Sequence, residues 1–94
     1  MTRRIIEFYG QGCPDCVAIV PEIEKLEKEE DVEIEKLEVW HNEENHNRME
    51  NLKRLYDQEC DGNFEVPSYY EEETDRLICN PRSYENIKKW LYQT

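Results

Sequence analysis

The sequence predicts an α/β domain: a four-stranded mixed sheet flanked by three helices, in the order β-α-β-α-β-β-α. Three observations carry the prediction. Two short strand-like runs, 5–9 and 32–40, are separated by a stretch with helical periodicity. A second helical stretch follows at 42–57. A hairpin pattern at 66–79 then precedes a last amphipathic helix. A strand–helix–strand unit makes a parallel pair and a hairpin an antiparallel one, so the sheet that combines them is mixed.

Ile5-Ile6-Glu7-Phe8-Tyr9 is short, bulky and broken by a single charge, which reads as a buried strand. Cys16, Ile19, Val20, Ile23 and Leu26 recur at helical spacing, so residues 14–30 read as one helix. Pro14 suits its first turn, whereas Pro21 lies in its interior and should kink it. From Val32 to Trp40, charged residues interleave with Val32, Ile34, Leu37 and Val39, giving a second strand. Asn42 to Asp57 is a second helix, with Met49, Leu52, Leu55 and Tyr56 as its apolar stripe and an Asn near its start as cap. Gln58 to Glu65 is a loop, marked by Asp61-Gly62-Asn63. Val66–Tyr70 and Arg76–Cys79 form a hairpin across 71–75. Pro81 and Ser83 open the last helix, with Tyr84, Ile87, Trp90 and Leu91 on its apolar face. Tyr69, Tyr70, Tyr84 and Trp90 read as core and rim aromatics.

The 94 residues make one domain, 1–94, with no internal repeat or linker. Hydrophobic and charged residues each make up 37%, so the core must be small. The net charge of −11 argues against nucleic-acid binding and against docking on anionic membrane, both of which need basic surface. The longest apolar stretch, Val17 to Val20, is far too short to span a bilayer. Met1-Thr2-Arg3-Arg4 leads straight into a strand pattern without an apolar targeting region. A cytoplasmic, monomeric protein is expected, in a compartment where thiols are mostly reduced.

Cys13-Pro14-Asp15-Cys16 sits at a strand–loop–helix joint. A helix start carries unpaired N–H groups and a partial positive charge, which favour a thiolate. Three fates are open to such a pair: redox exchange, an inert disulfide, or half of a metal site. A metal site needs two more placed ligands, and there is no second C-x-x-C. His41 and His46, five apart, do not share a helix face well and carry little weight as ligands. In the context of a β-α-β pattern, C-x-x-C favours redox exchange.

Taken together, these features resemble the thioredoxin superfamily over nearly the whole chain. Glu7 stands six positions before the first cysteine, where thioredoxins carry an acid. Pro21 stands eight positions after it, where they carry a helix-kinking proline. Lys36 on the next strand matches their lysine beside the acid, and Val66-Pro67 matches their hydrophobic–cis-proline step. Two positions depart from the pattern: Gly12 replaces the tryptophan before the first cysteine, and Pro-Asp replaces Gly-Pro between the cysteines. Proline in the first place is more like glutaredoxins, but no glutathione motif precedes the last helix, where Cys79-Asn80-Pro81 stands.

The resemblance implies a thiol–disulfide oxidoreductase, with protein disulfides as substrates, a disulfide reductase or glutathione as partner, and no cofactor or metal. Cys13, at the helix start, is expected to be the exposed nucleophile, and Cys16, one turn in, the buried resolving thiol. Asp15 should raise the Cys13 pKa and bias the pair toward reduction. Glu7 is either a solvated edge residue or a desolvated base for Cys16, moderated by Lys36. A cis Pro67 would face Cys13 and expose the Val66 backbone to an extended substrate; Pro14, Asp15, Val66 and Pro67 are the expected substrate contacts. For Cys60 and Cys79 three readings stand in order: two buried thiols, a second disulfide, or a four-thiolate iron–sulfur or zinc site with Cys13 and Cys16. Beside the enzyme stand two alternatives, that metal- or cluster-binding protein and a non-catalytic redox-sensing module.

Overall fold

The computed structural model describes residues 2–93. Its elements are β1 (Arg3–Tyr9), α1 (Pro14–Ala18), α2 (Val20–Glu29), β2 (Val32–Glu38), α3 (Glu43–Glu50), α4 (Lys53–Glu59), β3 (Ser68–Glu71), β4 (Arg76–Cys79) and α5 (Tyr84–Leu91). The four strands form one sheet in the order β2-β1-β3-β4. β1 runs parallel to β2 and antiparallel to β3, and β3 is antiparallel to β4. The expected α/β class and mixed four-stranded sheet are therefore present, whereas the described residues form five helices in place of the expected three.

Both extra helices arise from breaks in expected single helices. Pro21 has no N–H to offer the Val17 carbonyl, so the 14–30 helix divides at Ile19, whose N–H bonds the carbonyls of Asp15 and Val17 instead. The interior proline splits the segment where a kink was expected. The 42–57 helix divides at Asn51 and Leu52, where the N–H of Leu52 bonds Met49 one residue short of the α-helical step. This turn re-aims α4 so that Leu55 and Tyr56 are buried, and α4 runs on to Glu59, shortening the expected loop. Caps form where polar residues allowed them: Asn42 accepts from the Asn45 N–H and Ser83 from the Asn86 N–H. β2 ends at Glu38, two residues before Trp40, and β3 starts at Ser68, leaving Val66 and Pro67 in the approach to the strand.

Strand alternation sends side chains to two cores. On one face Ile5, Val32 and Tyr69 pack with Ile19, Ile23 and Leu26 of the first helical pair and Tyr84, Ile87, Trp90 and Leu91 of α5. On the other, Phe8, Leu37 and Leu77 pack with Met49, Leu55 and Tyr56. Val20, expected in the apolar stripe, is 38% exposed because the break at Ile19 turns it outward.

Glu71 and two arginines close one end of the sheet. The Glu71 side chain is 1% exposed and takes hydrogen bonds from Arg3, Thr74 and Arg76. Arg76 also donates to the Trp90 and Leu91 carbonyls, tying the end of α5 to β4. These donors, Arg3 foremost, hold the Glu71 carboxyl down at about 2.

Candidate functional site

β1 delivers the chain to the site through Gly10 and Gly12. Gly12 has φ +90°, a left-handed conformation that disfavours side chains and turns the chain into Cys13. A Cβ at Gly10 would overlap the Trp40 ring, so glycine lets that half-exposed indole lie on the loop. Glu38 clamps the same loop: its carboxylate accepts from the backbone N–H groups of Gln11, Trp40 and His41, at 2.8, 3.1 and 2.8 Å. Burial opposes the Glu38 charge, but these donors outweigh it and hold the carboxyl below its ordinary value. The sequence reading missed this clamp. Its only signal was an acid at the end of a strand beside a Gly-rich turn.

Cys13 is the N-cap of α1, and its sulfur accepts from the Cys16 N–H at 3.1 Å. Cys13 and Cys16 form a disulfide, with Cα atoms 5.2 Å apart. The expectation of an exposed Cys13 is corrected here. Both residues are buried, Cys13 at 4% and Cys16 at 6% exposure. Val66 covers Cys13, its carbonyl oxygen 3.9 Å from Cys13 Sγ, and the Val66–Pro67 peptide bond is cis. Pro14 takes the first helical position, and Asp15 pairs with Arg82 at 3.4 Å, both side chains being largely exposed. Arg82 went unremarked in the sequence because 67 residues separate it from Asp15.

Glu7 lies on the central strand, not at an edge, and is 4% exposed. Parallel register sets Lys36 opposite it on β2, and antiparallel register sets Tyr69 opposite it on β3. The Tyr69 hydroxyl donates to Glu7 Oε2 at 2.5 Å. Burial pushes the Glu7 carboxyl above its ordinary value, with Tyr69 and Lys36 pulling back. Burial, with the Glu7 charge and hydrogen bond, also raises Tyr69. Tyr69 was expected to do no more than fill the core. Its second role was hidden because a tyrosine's partner is set by register across strands.

An open cavity of about 350 Å³ touches Glu7, Lys36 and Cys16, with Gly10, Val17 and Val20 on its walls. It gives the buried carboxyl and the inner cysteine a shared route to solvent. Val17, at 68% exposure, forms its rim.

Cys60 and Cys79 do not stay separate thiols: they are joined by a disulfide, with Cα atoms 6.0 Å apart. The turn at Asp61 and Gly62, both with positive φ, brings the end of α4 beside the end of β4. The four-thiolate site does not form. Among the described residues, the ligand-type atoms clustered with Cys60 and Cys79 come from Glu65, and Cys13 and Cys16 lie outside the group. His41 and His46 approach Glu38 and Glu50 at the surface. Among the described residues, no helix is long and apolar enough to cross a membrane.

Comparison with protein-family models, curated proteins and solved structures finds no match for this chain. The chemistry open to the site therefore rests on the geometry above.

Proposed function

We propose that the protein is a thiol–disulfide oxidoreductase of thioredoxin-like fold, exchanging electrons with protein disulfides through Cys13 and Cys16. The observation that carries this reading is the cavity shared by Cys16, the buried Glu7 and Lys36, directly behind a cysteine pair at a helix start. A structural disulfide needs no carboxyl with a raised pKa at its inner sulfur. An exchange site can use one, because its resolving thiol must lose a proton.

The reaction runs as follows. The Cys13 thiolate, held by the Cys16 N–H, attacks one sulfur of a substrate disulfide. A mixed disulfide forms, and the other substrate sulfur leaves as a thiolate and takes up a proton. Glu7 removes the Cys16 proton through cavity water. The Cys16 thiolate then attacks Cys13 Sγ, closing the Cys13–Cys16 disulfide and expelling the second substrate sulfur. The substrate gains two electrons, and the protein is oxidised by two. A disulfide reductase or glutathione returns them. The Val66 carbonyl at Cys13 supplies a backbone acceptor for an extended substrate segment, with Pro14, Asp15 and Pro67 around it. The reading places the protein in the cytoplasm as a monomer that uses no cofactor.

Cys13 covered by Val66 favours a substrate that displaces this contact as it docks. The experiment is reduction of insulin disulfides in the presence of dithiothreitol. Wild type is expected to accelerate it, and Cys13→Ser to show no acceleration. Equal rates for the two proteins would remove the catalytic reading and leave a redox-sensing module.

A further inference from the structure

Away from the Cys13–Cys16 site, the fold brings three metal-ligating side chains together from three segments. Cys60 is the C-cap of α4, Glu65 lies in the loop before β3, and Cys79 ends β4. One ligand atom from each lies within 4.8 Å of the other two. Cys60 is buried and Cys79 partly so, while the Glu65 side chain is exposed and leaves an entry from solvent. Leu55, Leu77, Phe64 and Val66 belong with Cys60 and Cys79 to one apolar cluster. The Glu65 carboxylate has no hydrogen-bond or ion-pair partner among the described residues. The two sulfurs, joined as a disulfide in this structure, and the Glu65 carboxylate thus converge at the edge of an apolar cluster, and reduction turns the sulfurs into two thiols. Once deprotonated they carry like charges with no cation between them, an arrangement that a divalent ion would neutralise.

We propose that, when reduced, Cys60 and Cys79 bind a zinc-type divalent cation together with Glu65, so that metal and disulfide are alternatives on the same two sulfurs. Two thiolates, one carboxylate and a water make a tetrahedral set that suits zinc. Thiolates disfavour magnesium and calcium, which take oxygen ligands. Sulfurs on a tetrahedral zinc, each about 2.3 Å from the metal, lie within about 4 Å of each other. A Cα separation of 6.0 Å serves either state with side-chain rotation alone. Oxidation discharges the metal in a balanced step. A small-molecule disulfide accepts two electrons from the two cysteine thiolates, and its sulfur–sulfur bond breaks as the Cys60–Cys79 bond forms. Two protons from solvent complete its two thiols, and one cation is released. Neither Cys13 nor Cys16 takes part, so the site stands whether or not that pair turns over substrate.

The test uses a chain carrying Cys13→Ser and Cys16→Ser, fully reduced with a thiol-free phosphine and then freed of it under anaerobic conditions. Titration with Co²⁺ is expected to give thiolate-to-cobalt charge-transfer and tetrahedral ligand-field bands that saturate at one equivalent and vanish when Zn²⁺ is added. Cys79→Ser in that background should abolish the charge-transfer band. Glu65→Gln should weaken binding by about tenfold or more. Glutathione disulfide should release one zinc per Cys60–Cys79 bond formed. Absence of a thiolate–cobalt band at one equivalent overturns the proposal, as does a band that survives Cys79→Ser. Where Cys79→Ser fails to fold, Glu65→Gln decides, and unchanged cobalt affinity in that variant overturns the three-ligand site.

Discussion

Glu7 is the residue on which burial and chemistry pull against each other. Its pKa is raised by burial, so the folded chain holds the proton to higher pH than the unfolded chain does. Below the ordinary carboxylate value both states are protonated, and Glu7→Gln should change stability little. As pH climbs past that value the unfolded chain ionises first, and wild type loses stability by about 1.4 kcal/mol per pH unit until the folded group also ionises. Glu7→Gln should therefore gain in urea midpoint over wild type as pH rises above the ordinary carboxylate value, and a constant difference would show that Glu7 titrates normally. The same variant should slow the second, resolving step of exchange. Asp15 acts on the other sulfur. Its charge disfavours the Cys13 thiolate, but Arg82 at 3.4 Å offsets part of that field at an exposed site. Asp15→His should raise the reduction potential of the Cys13–Cys16 pair in a glutathione redox titration, and an unchanged or lower potential would dismiss the reducing bias.

The elements are held where the site needs them by contacts between distant segments. Pro21 divides the first helical segment, and the turn at Ile19 sends Val17 and Val20 outward to the cavity while Ile19 and Ile23 stay in the core. Periodicity showed a helix there, and the proline showed an interruption. The size of the interruption depended on where the freed Val17 carbonyl found a donor. Glu71 joins β1, β4 and the end of α5 through Arg3 and Arg76. Removing it leaves two guanidiniums with fewer partners. Each arginine side chain keeps about a quarter of its surface in water, 27% for Arg3 and 24% for Arg76, which puts the cost at the low end for a broken buried pair. Glu71→Ala should cost about 3 kcal/mol in denaturant unfolding at neutral pH. The Glu71 pKa is depressed, so its stabilisation is complete above the ordinary carboxylate value of 4.5 and fades as pH falls toward about 2. The difference between Glu71→Ala and wild type should shrink over that window.

At the scale of the whole molecule, the Cys60–Cys79 bond spans a sequence separation of 19 and closes the end of α4 onto the end of β4. Cross-linking a loop of that length removes unfolded-state entropy worth about 3 kcal/mol, a large share of a small domain's typical 5–15 kcal/mol. The reduced Cys60→Ser/Cys79→Ser chain and wild type reduced at both pairs should unfold at similar denaturant concentrations. Oxidised wild type should unfold later than an oxidised Cys60→Ser/Cys79→Ser chain, in which the Cys13–Cys16 bond is still closed, by about 3 kcal/mol. Coincident curves for these two oxidised proteins would show that the Cys60–Cys79 bond does not constrain the unfolded chain.

Local pattern alone determined much of this protein. Strand and helix periods, the Asn42 and Ser83 caps, the β-α-β start with its closing hairpin, and the cysteine pair at a helix start are all properties of near neighbours in sequence. Tertiary structure decided the rest. Burial of Glu7 depends on β1 being central, and its Tyr69 partner on strand register. The Glu38 clamp joins residues 27 apart, and the cover of Val66 over Cys13 joins residues 53 apart. Whether Cys60 meets Cys79 or the Cys13–Cys16 pair depends on which sheet end each loop reaches. A side chain's local preferences are set by the residues beside it in the chain, but its charge state, cover and covalent partner are set by residues that only folding brings near.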